Sequence, residues 1–283
     1  MEIAFTRAQR RKLASQIFVG VCVAAAGIAL IALSLIMFSL FTKGFSGIDT
    51  MVFTHDTPGP DSEGGLRNAI IGSIMMCTLA MFIAVFIGVL AGTWLAEIGG
   101  DSKYGHAVRF LNDVLLSAPS ILIGLFIYEM MVRPMHGFSG WAGAVALGVL
   151  ATPVVTRTTE DILNLQPNAL REAGMALGAS QWVTVRKIIW KAASAGLLTG
   201  GLLGFARISG ETAPILFTSL NNQFFSTDMG QPIASLPVVI YQFAMSPFDI
   251  WQELAWAGAL LITATVLAIN ILGRWVARDK DHK

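Results

Sequence analysis

The sequence predicts an all-α polytopic membrane protein. Hydrophobic residues make up 54% of the 283 positions, charged residues 13%, and the mean hydropathy is +0.66. A soluble domain has about 25% charged residues. Several apolar runs reach the roughly 20 residues that cross the hydrocarbon core of a bilayer. None of them alternates with a period of two, so helices are expected rather than the strands of a barrel.

Six transmembrane helices are predicted, at about 17–41, 68–96, 107–132, 138–157, 193–220 and 253–277. Basic residues precede the first run, as in a signal peptide. The run is too long for a signal peptide core, so we interpret it as a retained span. The third and fourth predicted spans contain Pro119 and Pro153 and are the least regular.

The distribution of positive charge predicts the orientation. With the N-terminus inside, the cytoplasmic segments hold 15 of the 19 Lys and Arg residues, including Lys283. This bias predicts that both termini are cytoplasmic. We divide the chain into residues 1–66, with a tail, the first span and an outer loop, and a core of residues 67–283. The outer loops 42–67 and 221–252 are rich in proline, which predicts irregular structure.

The inner loop 158–192 is long, charged and rich in helix formers. Pro167 can begin a helix over NALREAGMAL, Gly178 interrupts the pattern, and Ser180 is a plausible N-cap for a second helix. The residues alone leave two interpretations of this loop open. The loop is an amphipathic element at the membrane surface, or it is a docking element for a cytoplasmic protein, with a turn that requires glycine.

REAGMALG followed by WVTVRKII resembles the EAA loop of ABC importer permeases. Glu172, Ala173, Gly178 and Ile188 match the family's spacing, whereas Gly174 replaces its second alanine. Trp190 and Lys191 stand where that motif ends in Leu-Pro. The resemblance implies a type I (MetI-like) importer permease fold, and a loop that seats in a cleft of an ATPase subunit and passes its motion to the membrane helices.

Arg207 and Glu211 lie in the fifth predicted span. An arginine at the centre of a lipid-facing helix costs about 2.5–3.5 kcal/mol on insertion scales, so these charges are expected to face protein or water. Small residues recur every four positions at Gly196, Gly200 and Gly204, which predicts close helix packing on a face near both charges. An i,i+4 ion pair that merely holds helices together is the alternative, but such a pair contributes about 0.2–0.5 kcal/mol.

ARISGETAPILFT and TPVVTRTTEDIL are similar to stretches of the PstA-type permease subunits of phosphate ABC importers. The resemblance implies that Arg207 and Arg157 take part in phosphate passage; for Arg157, snorkelling to the inner interface is the alternative. Guanidinium groups bind oxyanions through forked hydrogen bonds. We hypothesise that Glu211 takes over the guanidinium of Arg207 once phosphate leaves.

The resemblance implies a bacterial inner-membrane protein with four kinds of partner. They are a second, homologous permease subunit, a dimer of ABC ATPases, an external phosphate-binding protein and membrane lipid; nucleic acid is not expected. The chain has no G-x-x-x-x-G-K-[ST] loop, so ATP and Mg²⁺ are expected on the ATPase, with no cofactor, metal or catalytic residue here. The alternatives are a permease for sulfate, molybdate or a phosphonate, and an ion-coupled secondary transporter. An intramembrane protease is disfavoured, since no histidine falls at the centre of a span.

Overall fold

The structure, a computed structural model, describes residues 7–60 and 62–280. The start of the predicted tail, residues 1–6, and the inner cation Lys283 lie outside the described residues. The described chain folds into α-helices, three π-helical turns and irregular connections, the longest of which is 219–235, with no strand. The α-helices are α1 (Arg7–Ser46), α2 (Thr50–Thr54), α3 (Arg67–Trp94), α4 (Lys103–Ser117), α5 (Ser120–Ile127), α6 (Gly140–Asn164), α7 (Asn168–Ala176), α8 (Gln181–Thr184), α9 (Trp190–Ala192), α10 (Ser194–Ser209), α11 (Ala213–Thr218), α12 (Leu236–Ala244) and α13 (Asp249–Lys280). The π-helical turns are Leu95–Gly99, Tyr128–Val132 and Val185–Ile189.

The helices of the described chain match six predicted spans only if two of those spans are broken. By length and composition, α1, α3, α6 and α13 are each able to cross a membrane. Two further candidates are bent pairs: α4 with α5, at 104°, and 181–192 with α10, at 75°. The described chain thus has up to six candidate spans if each bent pair counts as one, and the second pair begins inside the predicted inner loop and bends at Ala193.

The third predicted span, 107–132, is wrong as a straight helix. α4 ends at Ser117, its C-cap residue Ala118 has extended backbone angles (φ −66°, ψ 135°), and Pro119 is the N-cap residue of α5. The proline ring disfavours helical angles in the residue before it, so Ala118 turns the chain. Pro153 has no such effect, and α6 continues through it to Asn164, beyond the predicted end at 157.

The fifth predicted span, 193–220, is also wrong as a single helix. α10 ends at Ser209, Gly210 is its C-cap, and α11 begins at Ala213. Pro214 explains the break, because a proline clashes with the carbonyl four residues earlier, here that of Gly210, and has no N–H to donate. Proline is well tolerated in the first turn of a new helix, which is its place in α11.

The core lies where α3 and α6 pack side by side, in the most extensive helix contact of the described chain. Buried Met76, Leu147 and Val155 belong to it, and α10 adds Ile208. α1 contributes least: none of the residues in its most apolar 18-residue window is buried. α1 contacts α13 near its C-terminal end, where Gly44 and Gly47 pack against it.

The outer loops are more ordered than the proline content predicts. α2 and α12 form within them, and Pro237 lies in the first turn of α12. Asn68, at the start of α3, is buried and joins the two loops. Its amide donates to the Thr57 hydroxyl (2.9 Å) and to the Asn222 carbonyl (2.8 Å), while its side-chain oxygen accepts from the Thr57 N–H (3.1 Å). Buried polar atoms need such partners, so Asn68 fixes both loops to α3.

Candidate functional site

The glycines of α10 lie against α6. An added β-carbon on Gly196 would come within 2.5 Å of Ile162, one on Gly200 would meet Oγ1 of Thr158 at 2.5 Å, and one on Gly204 would meet Val155 at 3.1 Å. The first two distances are shorter than real β-carbon contacts allow. The two helices therefore approach closely because these positions have no side chain.

Arg207 is not buried, unlike Gly200 and Gly204, which precede it on α10. It follows Gly200 by seven residues, which is close to two helical turns, so the two positions project in similar directions at different heights along α10. The neighbouring Ile208 is 1% exposed. At the level of Arg207, the single chain leaves the side chain uncovered.

Glu211 is separated from Arg207 by the end of the helix. Arg207 lies in the last turn of α10, where the free carbonyls favour a cation. Glu211 follows the cap, and its backbone N–H bonds to the Ile208 carbonyl (3.2 Å). Neither residue forms an ion pair within the described part of the chain. The alternative of an i,i+4 structural pair on one helix is therefore wrong.

A groove runs beside Arg207 between α10 and α13. It measures about 570 Å³ and is bordered by Ala206 and Gly210 at one end and by Arg274 at the other. Asn270 and Thr263 are its other polar lining residues. Arg274 is the charged residue of this lining, whereas Arg207 does not line the groove.

Arg157 lies on the exposed face of α6 and forms an ion pair with a residue of the same helix. Its Nε lies 3.5 Å from the Asp161 carboxylate, one helical turn later, and the two side chains are 47% and 59% exposed. An exposed i,i+4 pair of this kind contributes little to stability, at most about 0.5 kcal/mol. Its guanidinium therefore remains accessible to an anion.

The inner loop has the predicted two helices and glycine turn. Pro167 caps α7, Gly178 adopts φ +80°, and the Ser180 hydroxyl caps α8 by accepting from the Val183 N–H (3.5 Å). A φ of +80° is a left-handed conformation that favours glycine. We call residues 168–192 the coupling loop.

The matched motif residues of the coupling loop divide into exposed and packed positions. Glu172, Ala173 and Gly178 are exposed, whereas Gly174 is buried and Ile188 is half-buried. Gly174, the departure from the family's second alanine, faces the side chain of Thr184: an added β-carbon would lie 2.5 Å from its Cγ2. The glycine is required by this close contact between α7 and α8.

Sequence reasoning missed a buried ion pair between the coupling loop and α3. The Arg171 guanidinium forms a fork with the Glu97 carboxylate (Nη2–Oε1 2.7 Å, Nε–Oε2 2.9 Å), and the two side chains are 19% and 5% exposed. Arg171 also donates to the carbonyls of Leu163 and Gln166, both at 2.8 Å. The Glu97 hydrogen bond raises the pKa of Arg171 above its ordinary value, so the guanidinium stays charged.

A second missed pair joins α4 to α6. Arg109 Nε lies 2.6 Å from Oε1 of Glu160, whose side chain is 6% exposed, and Arg109 also donates to the Gly100 carbonyl (2.7 Å). Glu97 follows an apolar run with no cation within four positions, which is a signal that such a carboxylate has a distant partner. The partners themselves lie 74 and 51 positions away.

An all-helical membrane chain with a broken, arginine-bearing span and an inner two-helix loop has the architecture of a transport permease. Comparison with known sequences gives the family: the chain belongs to the binding-protein-dependent transport system inner membrane components, whose pattern matches residues 84–282.

Curated relatives cover nearly the whole chain. The phosphate transport system permease protein PstA of Pasteurella multocida (strain Pm70) is 54% identical over 93% of this chain and 94% of its own length. The protein of the same name from Haemophilus influenzae is 53% identical over 95% and 96%. A probable phosphate transport system permease protein PstA from Methanocaldococcus jannaschii is 36% identical over 95% of each.

Solved structures share the fold. An inward-facing structure of the MetNI methionine ABC transporter matches with a TM-score of 0.64 and 20% identity, over 75% of this chain and 94% of that one. A bacterial alginate ABC transporter matches with a TM-score of 0.68 and 11% identity, over 97% and 98%. The predicted MetI-like permease fold is thereby confirmed.

Family membership makes the chain an inner-membrane permease subunit rather than an enzyme. It also implies an ATPase partner and a binding-protein partner.

Proposed function

We propose that this chain is one permease subunit of an ATP-driven importer that moves inorganic phosphate from an external binding protein into the cytoplasm. The observation that carries the proposal is the exposed Arg207 beside the break in the fifth span, in a chain 54% identical to a phosphate permease over 93% of its length. A dianion that crosses a low-dielectric layer needs cationic donors, and arginine supplies them in a geometry that suits oxyanions.

The position of Arg207 suits a path between two permeases. Its side chain is exposed in the single chain. It lies 13 residues after Ser194, about 20 Å along α10 from the inner end. A second, homologous permease would cover this surface and leave a channel lined by arginines from each subunit. Arg157, exposed near the inner end of α6, would act later on the same path.

Glu211 supports release of the anion. It lies beyond the helix break and is unpaired with Arg207 within the described residues. The helix ends between the two residues, at Gly210, and we propose that a change of backbone angles there brings the two charges together when phosphate departs. The Glu211 carboxylate then replaces phosphate as the partner of Arg207. This competition keeps the affinity of Arg207 for phosphate low.

The remaining partners follow from the coupling loop. A dimer of ABC ATPases, which would hold ATP and Mg²⁺, would seat under the exposed Glu172 and Ala173. Closure of the ATPases would push the loop, move α10 and switch Arg207 from outward to inward access. This assigns the coupling loop and both termini to the cytoplasmic side, in agreement with the excess of Lys and Arg in the inner segments.

The experiment is uptake in proteoliposomes. The chain is co-expressed with its partners, reconstituted with the phosphate-binding protein outside, and assayed for ATP hydrolysis and for entry of labelled phosphate. We expect uptake that requires both ATP and the binding protein. Uptake without ATP, or purification without an ATPase, would refute the importer.

The Arg207→Gln variant tests the path. Loss of a charge-assisted hydrogen bond costs about 1.5–3 kcal/mol, so uptake should fall at least about tenfold while assembly survives. Arg133→Gln is the matched control, because Arg133 is an exposed arginine outside the path, 72% accessible and paired with Glu129. Excess sulfate, molybdate or phosphonate should not compete with labelled phosphate; competition by one of them would reassign the substrate.

A further inference from the structure

α3 and its π-helical turn form one continuous rod with a polar attachment at each end. Together they run from Arg67 to Gly99, which is 33 residues and about 50 Å at 1.5 Å per residue. At the outer end, Asn68 holds both outer loops. At the inner end, Glu97 holds the coupling loop through Arg171. Between the two ends the rod packs along α6.

The inner attachment has three points. Besides the Arg171–Glu97 fork, the Gln181 amide donates to the Glu97 backbone carbonyl (3.0 Å). The indole N–H of Trp190 donates to the Thr93 hydroxyl (3.1 Å). These three contacts come from α7, α8 and α9. Each of these helices is therefore hydrogen-bonded to the short segment of the rod that contains Thr93 and Glu97.

The Arg171–Glu97 pair is a rigid connection, because the guanidinium nitrogens all have hydrogen-bond acceptors. Nε, Nη1 and Nη2 of Arg171 all have acceptors, in the Glu97 carboxylate and in the carbonyls of Leu163 and Gln166. Forked arginine–carboxylate pairs fix orientation as well as distance. A force on the coupling loop therefore reaches α3 directly, and not only α10 through the peptide chain.

On the basis of the proposed function, we propose that Glu97 and Arg171 are positioning residues that couple the ATPase side of the permease to its outer loops through α3. Movement of the coupling loop shifts the rod, and Asn68 carries the shift to the loops that face the binding protein. Coupling between two sites is reciprocal, so occupancy of the outer loops also changes the coupling loop. The binding protein would thereby stimulate ATP hydrolysis across the membrane.

The test measures how far the loaded phosphate-binding protein stimulates ATP hydrolysis by the reconstituted full complex. A double variant, Glu97→Gln with Arg171→Gln, removes both charges and leaves no unpaired buried ion. In complexes that retain the ATPase, we expect the ratio of stimulated to basal hydrolysis to fall at least about fivefold, within the usual range of coupling between sites. The control double variant, Glu129→Gln with Arg133→Gln, removes an exposed pair and should keep normal stimulation.

An Asn68→Leu variant at the opposite end of the rod completes the test. It leaves the coupling loop intact, and it should also lose stimulation while the ATPase remains bound. Full stimulation in the Asn68→Leu variant or in the Glu97/Arg171 double variant overturns the proposal, as does equal loss in the control. If the Glu97/Arg171 double variant fails to assemble, the Asn68→Leu result decides alone.

Failure of the proposed function has a separate signature. It would appear in the wild-type complex, as binding-protein stimulation without phosphate uptake or as no stimulation at all.

Discussion

The side chain of Thr184 occupies the space that a β-carbon on residue 174 would need. A β-carbon there would lie 2.5 Å from Cγ2 and 2.7 Å from Oγ1 of Thr184, and 3.0 Å from Ile188. The contact joins α7 to α8 inside the coupling loop. The glycine that departs from the family motif is thus matched by its neighbour, and the two residues form one packing unit.

We expect Gly174→Ala to weaken the coupling loop. Overpacking of this kind costs about 1–3 kcal/mol, and the Thr184 side chain that crowds the site is itself buried. The change should lower the ATPase fraction that co-purifies with the chain. Adding Thr184→Ala removes both crowding atoms and should restore that fraction; lack of restoration would mean that the contact is not the cause.

Gly178→Ala should disturb the turn between the two helices of the loop. The backbone at Gly178 has φ +80°, where an L-residue costs about 1–2 kcal/mol. Gly178→Asn should be milder, because asparagine enters this region more readily than alanine. Gly137→Ala is a suitable control, since a β-carbon there meets nothing within 4 Å and no left-handed angle is involved. ATPase co-purification and thermal unfolding of the complex measure the order of the three variants.

The contact between α10 and α6 predicts opposite results at adjacent glycines. A β-carbon on Gly200 would lie 2.5 Å from Oγ1 of Thr158, and that hydroxyl is itself bonded to the Val154 carbonyl at 2.7 Å. Gly200→Ala should therefore destabilise the chain by about 1–3 kcal/mol. Gly201→Ala meets its nearest atom at 3.9 Å, so it should be neutral or slightly stabilising. Thermal unfolding in detergent distinguishes them, and equal effects would contradict the close approach.

Arg109→Met should be among the most damaging single changes outside the path. It leaves the Glu160 carboxylate, 6% exposed, without its cation, and breaking such a pair costs about 3–5 kcal/mol. Replacing both residues with methionine should recover much of that loss, because no buried charge remains. Arg133→Met, at an exposed pair, should change stability by less than about 1 kcal/mol. Unfolding temperatures of the purified variants test this order.

Local signals in the sequence predicted the coupling loop well. Ser180 caps its helix and Gly178 turns the chain because hydroxyl capping and positive φ depend on a few neighbouring residues. The break at Gly210 was also encoded locally, by a glycine four residues before Pro214. The apolar residues around Gly210 made this break hard to predict, because hydropathy shows the length of an apolar segment and not whether its helix is continuous.

The ion pairs between distant parts of the chain could not be predicted from such local signals. The partners of Glu97 and Glu160 lie 74 and 51 positions away, and many arginines in the chain could have served. The exposure of Arg207 could not be predicted from its spacing either. It follows Gly200 by seven residues, yet Gly200 packs closely against Thr158 of α6 and Arg207 is uncovered.

The fork between Arg171 and Glu97 has a consequence for engineering. A coupling loop grafted from another permease as residues 168–192 would arrive without the acceptor on which its arginine depends, because Glu97 belongs to a different span. The smallest unit that can be exchanged between permeases is therefore discontinuous. This unit consists of the coupling loop together with Thr93 and Glu97. Chimeras that exchange all of these residues should assemble where exchange of the loop alone fails.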